Sequence, residues 1–325
     1  MKLLVTGGAG YIGSIVARLL LSQGHEVVVL DNMRHGHRDA VPADASFVVA
    51  DLLDREALEA VLDRQFDAVL HFAALALVGE SGTHPERYYR TNIEGSLNLL
   101  EAMRAAGVER LVFSSTCAVY GQPEEVPIPE TALTRPTNAY GRSKLAVDWM
   151  ITDFCRAHGL GAVSLRYFNV AGASNGLGED HDPETHLIPN ILRAALGASP
   201  YVEIYGTDYP TPDGTAIRDY IHIDDLAEAH FLALEAIDGG THQIFNLGNG
   251  TGFSVREVIA ATQVVTGVAV ETNEAPRRPG DPATLVAASH RIRAELGWEP
   301  RKPALEEMVA DAWRFAQTHP NGYAQ

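Results

Sequence analysis

The chain has 325 residues, 46% of them hydrophobic, enough for a large core in one big domain or two linked ones. Its formal net charge is −17, from 25 Lys and Arg against 42 Asp and Glu, which argues against a protein that tracks a nucleic-acid backbone with surplus cations. Two cysteines, Cys117 and Cys155, cannot build a disulfide framework or a zinc knuckle. The N-terminal apolar run is too short for a signal segment and no stretch has the length of a membrane span, so a reducing cytoplasm is the expected setting.

In chain order, the first half alternates short apolar runs with helical patterns. These are LLVT (3–6), a helix near 11–23, EVVVLD (26–31), SFVVAD (46–51) and a helix near 54–64. DAVLHFA (67–73), a long helix near 85–106, RLVFSS (110–115), a helix near 139–158 and AVSLRYFN (162–169) follow. Unalternating Val, Leu and Ile suit strands buried on both faces, and the strand–helix alternation predicts an α/β fold, a Rossmann-type doubly wound parallel sheet. Beyond about residue 170, loop-forming residues dominate 171–185 and 206–216. A helix near 187–196, a strand at 201–205, a helix near 224–236, a strand at 243–247 and helices near 254–266 and 303–317 complete the pattern. They predict a smaller, irregular α/β substrate-binding lobe. The expected division is 1–170, with returning segments at about 217–250, and 171–325, with a ligand in the cleft between them.

Gly7-Gly8-Ala9-Gly10-Tyr11-Ile12-Gly13 stands between the first strand and the first helix and satisfies G-x-G-x-x-G through Gly8, Gly10 and Gly13. Such a turn brings helix N-terminal amides onto a pyrophosphate, and the strand-before, helix-after context is the one a dinucleotide site requires. Asp31 ends the second strand, near the offset of an acid that hydrogen-bonds the adenosine ribose; its charge repels a 2′-phosphate and favours NAD over NADP.

Tyr140 and Lys144 open the helix near 139–158 at i and i+4, on one face. A phenol, with pKa near 10, is a poor base at neutrality; a close ammonium and a nicotinamide cation are expected to lower that value. The strand end FSSTCAVYG (113–121) adds a hydroxyl-rich terminus.

Together these features resemble the short-chain dehydrogenase/reductase superfamily in its extended, nucleotide-sugar branch, and most closely the UDP-glucose 4-epimerase family. The resemblance runs nearly end to end. Its carrying segments are VTGGAGYIGS (5–14), LDN (30–32), HFAALALVGES (71–81), TNIEGSLNLLEAM (91–103), FSSTCAVYG (113–121) and AYGRSK (139–144). LRYFNVAGA (165–173), HLIPNI (186–191), YGTDYPTPDGTAIRDYIHIDDLA (205–227), FNLGNG (245–250) and RRPGD (277–281) carry it through the second half.

The resemblance implies NAD-dependent interconversion of UDP-glucose and UDP-galactose through a 4-keto sugar. Thr116, Tyr140 and Lys144 would form the proton-transfer group. Around NAD it implies Gly7, Gly10, Tyr11, Ile12, Gly13, Asp31, Asn32, Asp51, Leu52, Phe72, Ala73, Ala74, Asn92 and Ser114, with Tyr140, Lys144, Tyr167 and Phe168. Around the UDP-sugar it implies Thr116, Tyr140, Asn169, His186, Leu187, Glu203, Tyr205, Arg218, Arg278, Asp281 and Leu285. A homodimer pairing the helices near 85–106 and 139–158 is expected.

Three positions depart from the family pattern. Ala76 replaces a common Lys, His186 a common Asn, and Leu285 a pocket-narrowing Tyr, which leaves room for an N-acetylated sugar. Cys117 and Ala118 stand where nucleotide-sugar dehydratases carry an Asp-Glu pair, which disfavours elimination. An epimerase of UDP-xylose, UDP-arabinose or UDP-glucuronate shares every catalytic residue and stays open, and so does a non-catalytic NAD-binding protein. The scattered histidines show no metal-ligand spacing such as H-E-x-x-H, and no metal is expected.

Overall fold

Strand β1 (Lys2–Thr6) is almost wholly buried and leads through the glycine turn into α1 (Tyr11–Ser22). The chain continues through β2 (Glu26–Asp31), β3 (Ser46–Val49), α2 (Arg55–Leu62) and β4 (Ala68–His71). The short helices α3 (Val78–Thr83) and α4 (Pro85–Tyr88) follow, then α5 (Gly95–Ala106), β5 (Arg110–Thr116), α6 (Ala139–His158) and β6 (Gly161–Tyr167). The computed structural model describes residues 1–63, 65–278 and 280–324.

The remaining elements are β7 (Asn169–Ala171), α7 (Leu187–Ala195), β8 (Val202–Tyr205), β9 (Ile217–His222), α8 (Ile223–Glu235) and β10 (His242–Leu247). After them come β11 (Gly252–Ser254), α9 (Val255–Thr266), β12 (Thr272–Ala275), β13 (Thr284–Leu285), α10 (His290–Leu296) and α11 (Leu305–Thr318). Among the described residues, no helix is long and apolar enough to cross a membrane.

A seven-stranded sheet takes the order β10-β6-β5-β4-β1-β2-β3, the expected Rossmann-type α/β arrangement. β1 pairs in parallel with both β2 and β4, so the strand order reverses between β1 and β4. That reversal is the switch point at which doubly wound sheets bind ligands. Leu4, Val28, Val69 and Leu111 from its strands pack with Leu58 and Val61 of α2, Leu99 and Met103 of α5, and Ile151 of α6 in one core.

Contacts divide the chain into two units, 1–121 with 134–166 and 227–245, and 122–133 with 167–226 and 246–325. The returning stretch is therefore shorter than the 217–250 expected. β9 pairs with β7, β11 and β13 inside the second unit. Segment 122–133 joins that unit because Ile128 bridges Ala287 and its carbonyl accepts from Asn246 Nδ2 at 2.8 Å. Within this unit Ile191, Ile204, Val258, Met308 and Val309 form a second core.

The long helix expected over 85–106 is present without a break from Pro85 to Ala106, but it is not regular throughout. A π-helical turn over Tyr89–Glu94 separates α4 from α5. By contrast α6 keeps its expected bounds, because Asn138 Oδ1 caps its start by accepting from Gly141 N at 2.8 Å and Gly159, at φ 77°, ends it in the left-handed region.

Candidate active site

In the first unit, Gly7 (φ 71°) turns the chain out of β1 so tightly that a Cβ there would lie 2.6 Å from the backbone nitrogen of Ala73. A Cβ on Gly13 would lie 2.3 Å from the Gly7 carbonyl oxygen. Only bare backbone fits, and α1 carries no side-chain cap over Gly10, so the amides leading into Tyr11 and Ile12 have the geometry of a pyrophosphate cradle. Phe72 and Ala73 close the other side of the switch point, both donating their backbone N–H to the Thr6 carbonyl.

Asp31 is buried and accepts from Ala9 N (3.1 Å) and Met33 N (2.9 Å), which locks the acid at the end of β2 to the glycine turn. Burial pushes its carboxyl above the usual range, against these two amide bonds. Asn32 Nδ2 donates to Asp51 Oδ2 at 2.9 Å, joining the loops after β2 and β3. Leu52 is buried beside them, Ala74 is half-buried, and Ala76 is exposed. These residues fit a dinucleotide: a backbone cradle beside an acid held at ribose distance in the sequence pattern.

Thr116 ends β5, and its hydroxyl accepts from Ala118 N at 3.1 Å and lies near enough to the phenol of Tyr140 to act on its ionisation. That meeting depends on Gly141, where a Cβ would strike the Ala118 carbonyl oxygen at 2.5 Å, so the first turn of α6 can lie against the turn that follows β5. One helical turn further on, Lys144 is 3% exposed and its Nζ donates to the Ser114 carbonyl at 2.9 Å. It also stands 4.8 Å from the centre of the Phe113 ring.

The electrostatics differ from the sequence expectation. Burial raises the Tyr140 phenol to about 12, opposed by the Thr116 hydroxyl and assisted by Cys117; Lys144 is not among the causes. Burial lowers Lys144 to about 8, with Asp148 pulling the other way. In the chain alone Tyr140 is therefore a firmly protonated acid.

Asp148, one further turn along α6, escaped the sequence reading. It is buried, accepts from Arg166 Nε (3.1 Å) and Nη2 (2.9 Å) and from Ser115 Oγ (3.2 Å), and its Oδ1 has no hydrogen-bond partner. Arg166 Nη1 continues to the Tyr120 hydroxyl at 3.0 Å. The K-x-x-x-D spacing from Lys144 was a visible signal; the Arg166 partner on β6 was not.

His71, at the end of β4, was also missed. It lies between Thr6 Oγ1 (2.7 Å) and Ser96 Oγ (2.9 Å), and burial followed by the Lys144 charge holds it down to about 3, hence neutral. Asn92, expected at the cofactor, spends its amide on the chain itself. Its Oδ1 accepts from Leu75 N (2.8 Å), and its Nδ2 donates to the Leu75 carbonyl (3.0 Å) and to Ser143 Oγ (2.9 Å).

The second unit holds the other expected residues. Arg218 on β9 donates through Nη2 to Asp281 Oδ1 (2.6 Å) and the Pro282 carbonyl (2.8 Å), and Leu285 on β13 is its partner in register. Arg278, exposed, lies 4.0 Å over the ring of Tyr205, whose hydroxyl donates to Glu203. Asn169 opens β7, and His186 precedes Leu187 at the start of α7. Tyr167 and Phe168 fall in this unit, so the expected cofactor set is divided between the two.

Residues 3–248 match the NAD dependent epimerase/dehydratase family. The chain is 56% identical to the UDP-glucose 4-epimerase of Streptomyces lividans, over 99% of this chain and 98% of that one. The structure of the Brucella ovis UDP-glucose 4-epimerase in complex with NAD superposes with a TM-score of 0.92 at 45% identity, covering 96% of this chain and 97% of the other. That of the Bifidobacterium longum UDP-glucose 4-epimerase with NAD+ and UDP gives 0.95 at 37%, covering 99% and 100%.

Proposed function

The chain belongs to the NAD dependent epimerase/dehydratase family, and from that premise we propose that it interconverts UDP-glucose and UDP-galactose by epimerisation at C4. Bound NAD+ supplies the reversible hydride acceptor and a positive charge near the phenol. With that charge in place the Tyr140 phenol would ionise, and the tyrosinate would take the proton of the C4 hydroxyl and later return it. Thr116, close beside that phenol, holds the C4 oxygen in line. Lys144, fixed at Ser114, keeps a positive charge one turn from the phenol and holds the nicotinamide ribose. Arg218 and Arg278 grip the diphosphate, with Glu203 and Tyr205 toward the uracil.

The observation that carries this reading is the buried Lys144, held by the Ser114 carbonyl one turn beyond Tyr140 on the same helix, with Thr116 beside the phenol. Cys117 and Ala118, at the start of the turn after β5, supply neither acid nor base for elimination. Leu285, half-buried beside Arg218, favours a second substrate class, UDP-N-acetylhexosamines, since an aliphatic side chain there leaves room at C2.

We place the activity in galactose metabolism in the cytoplasm, in a homodimer. The exposed Trp149 on α6 and Tyr89 on the π-helical turn support the pairing of those two segments with their copies. The test is incubation of the purified chain with UDP-galactose, UDP-N-acetylgalactosamine and UDP-arabinopyranose without added NAD. UDP-glucose should form from the first and the epimerised acetyl sugar from the second. Absence of UDP-glucose, with NAD bound or added back, refutes the reading.

A further inference from the structure

Just ahead of α7, Glu179, His181, Glu184 and His186 converge, each offering one ligand atom, all within 4.8 Å of one another. His186 Nδ1 lies 2.6 Å from Glu179 Oε1 and 3.5 Å from Glu184 Oε1. His181 Nδ1 lies 3.3 Å from Glu179 Oε1 and 3.8 Å from Glu184 Oε2. A tetrahedral zinc ion with bonds of about 2.0–2.1 Å has ligand–ligand edges of about 3.3 Å, in the middle of these separations.

The two carboxylates are well removed from water, the Glu179 side chain 10% and the Glu184 side chain 3% exposed. Among the described ion pairs only the two imidazoles face them. His181 Nδ1 is sealed from solvent and makes no hydrogen bond, though it points between both carboxylates. Glu184 is aimed by its own backbone, since Oε1 accepts from Thr185 N (2.7 Å) and His186 N (2.8 Å). The intervening Asp180 turns elsewhere, accepting from Tyr323 N.

A second cluster, His222, Asp224 and Asp311, shows what a charge-satisfied alternative looks like. There Lys302 Nζ sits 2.9 Å from both aspartates and Arg314 also bonds Asp311, so protein cations already occupy the centre. Among the described residues no Lys or Arg pairs with the Glu179 group, which offers the mixed imidazole–carboxylate set that suits zinc.

We propose that Glu179, His181, Glu184 and His186 bind one Zn2+ per chain, through Nδ1 of each histidine and one oxygen of each glutamate. The ion is structural. It closes residues 179–186 into a loop that fixes the start of α7, and it takes the place of the protons shared between the imidazoles and carboxylates. The sequence spacing E-x-H-x-x-E-x-H escapes the usual metal signatures because no single helix presents it.

The full chain, stripped with a chelator, is titrated with Zn2+ against a chromophoric competitor, and separately with Co2+ while visible absorption is followed. One equivalent of Zn2+, the intense bands of four-coordinate Co2+ and a zinc-dependent rise in Tm are expected. Glu184→Gln and His181→Ala should each weaken Zn2+ binding by more than the ~10–100-fold that loss of an outer-shell partner costs. Where a variant does not fold, the wild-type stoichiometry and Co2+ spectrum decide. A wild-type chain that takes up no stoichiometric Zn2+ overturns the proposal, and so does a folded His181→Ala variant with unchanged affinity.

Discussion

The proposed proton-transfer group of the first unit and the charged set proposed to grip the diphosphate in the second face different physical demands. Tyr140 and Lys144 ride one capped helix, and Lys144 is held by Ser114 with Asp148 and Arg166 buried nearby. Lys144, Arg166 and Asp148 Oδ2 all have named partners, although Asp148 Oδ1 has none, so a small displacement costs several hydrogen bonds at once. Arg218, on β9, leans on Asp281 and on the Ile217 and Pro282 carbonyls, and Arg278, on an exposed loop, lies over the face of Tyr205. Chemistry needs fixed atoms, whereas a diphosphate can be held by cations that exchange one partner for another.

The sharpest way to break this contrast is Tyr140→Phe. It removes the proton acceptor while leaving the helix and the glycine cradle intact, so kcat should fall by ~10²–10⁴-fold with NAD content unchanged. A variant that retains wild-type turnover would show that another group carries the proton.

Arg218→Ala should act on the other side of the comparison. Loss of a charge-assisted contact worth ~1.5–3 kcal/mol raises KM for the UDP-sugar roughly 10- to 150-fold with kcat little changed. A fall in kcat alone would contradict a purely gripping role.

The smallest effect concerns stability. The His71 imidazole is held down to about 3 by burial, whereas an unfolded histidine titrates near 6.5. Between those values the unfolded chain binds one more proton than the folded one, so acidification through this window destabilises the fold by up to roughly 1.4 kcal/mol per pH unit. In His71→Asn that dependence disappears. The stability gap between wild type and variant, read by urea unfolding, should therefore narrow as pH drops from 7 to 5. A constant gap would show that the first unit is less tightly sealed than its burial indicates.

Much of this was legible in the chain. The sheet runs were readable because strands buried on both faces lose their alternation, and α6 was readable because Asn138 and Gly159 mark its ends. In the second unit β8 matched the strand expected at 201–205, but most of the other strands were not readable. GFS, TNEA and TL are too short to carry a period, and the Ile217–His222 strand runs straight into α8 without a break. The Tyr140 and Lys144 pair was visible as an i, i+4 spacing, and the roles expected for Thr116, Tyr140 and Lys144 came from the family resemblance. Their electrostatics did not, because burial, the largest cause at Tyr140 and Lys144, is a property of packing across distant segments. His71 illustrates the same limit: its partners Thr6 and Ser96 lie 65 and 25 residues away.

The π-helical turn at Tyr89–Glu94 has a consequence for how this chain can change length. It amounts to one residue more than a regular helix needs, and it holds Asn92 against Leu75 and Ser143. Deleting a residue there would return the stretch to regular α-helix and, because the widened turn already absorbs that residue, leave the flanking stretches close to their present facing. Asn92 would lose the position from which it reaches Leu75 and Ser143, while Leu99 and Met103 would keep the core they share with β4 and β5. The cost of such a deletion falls on the Asn92 bridge rather than on the core.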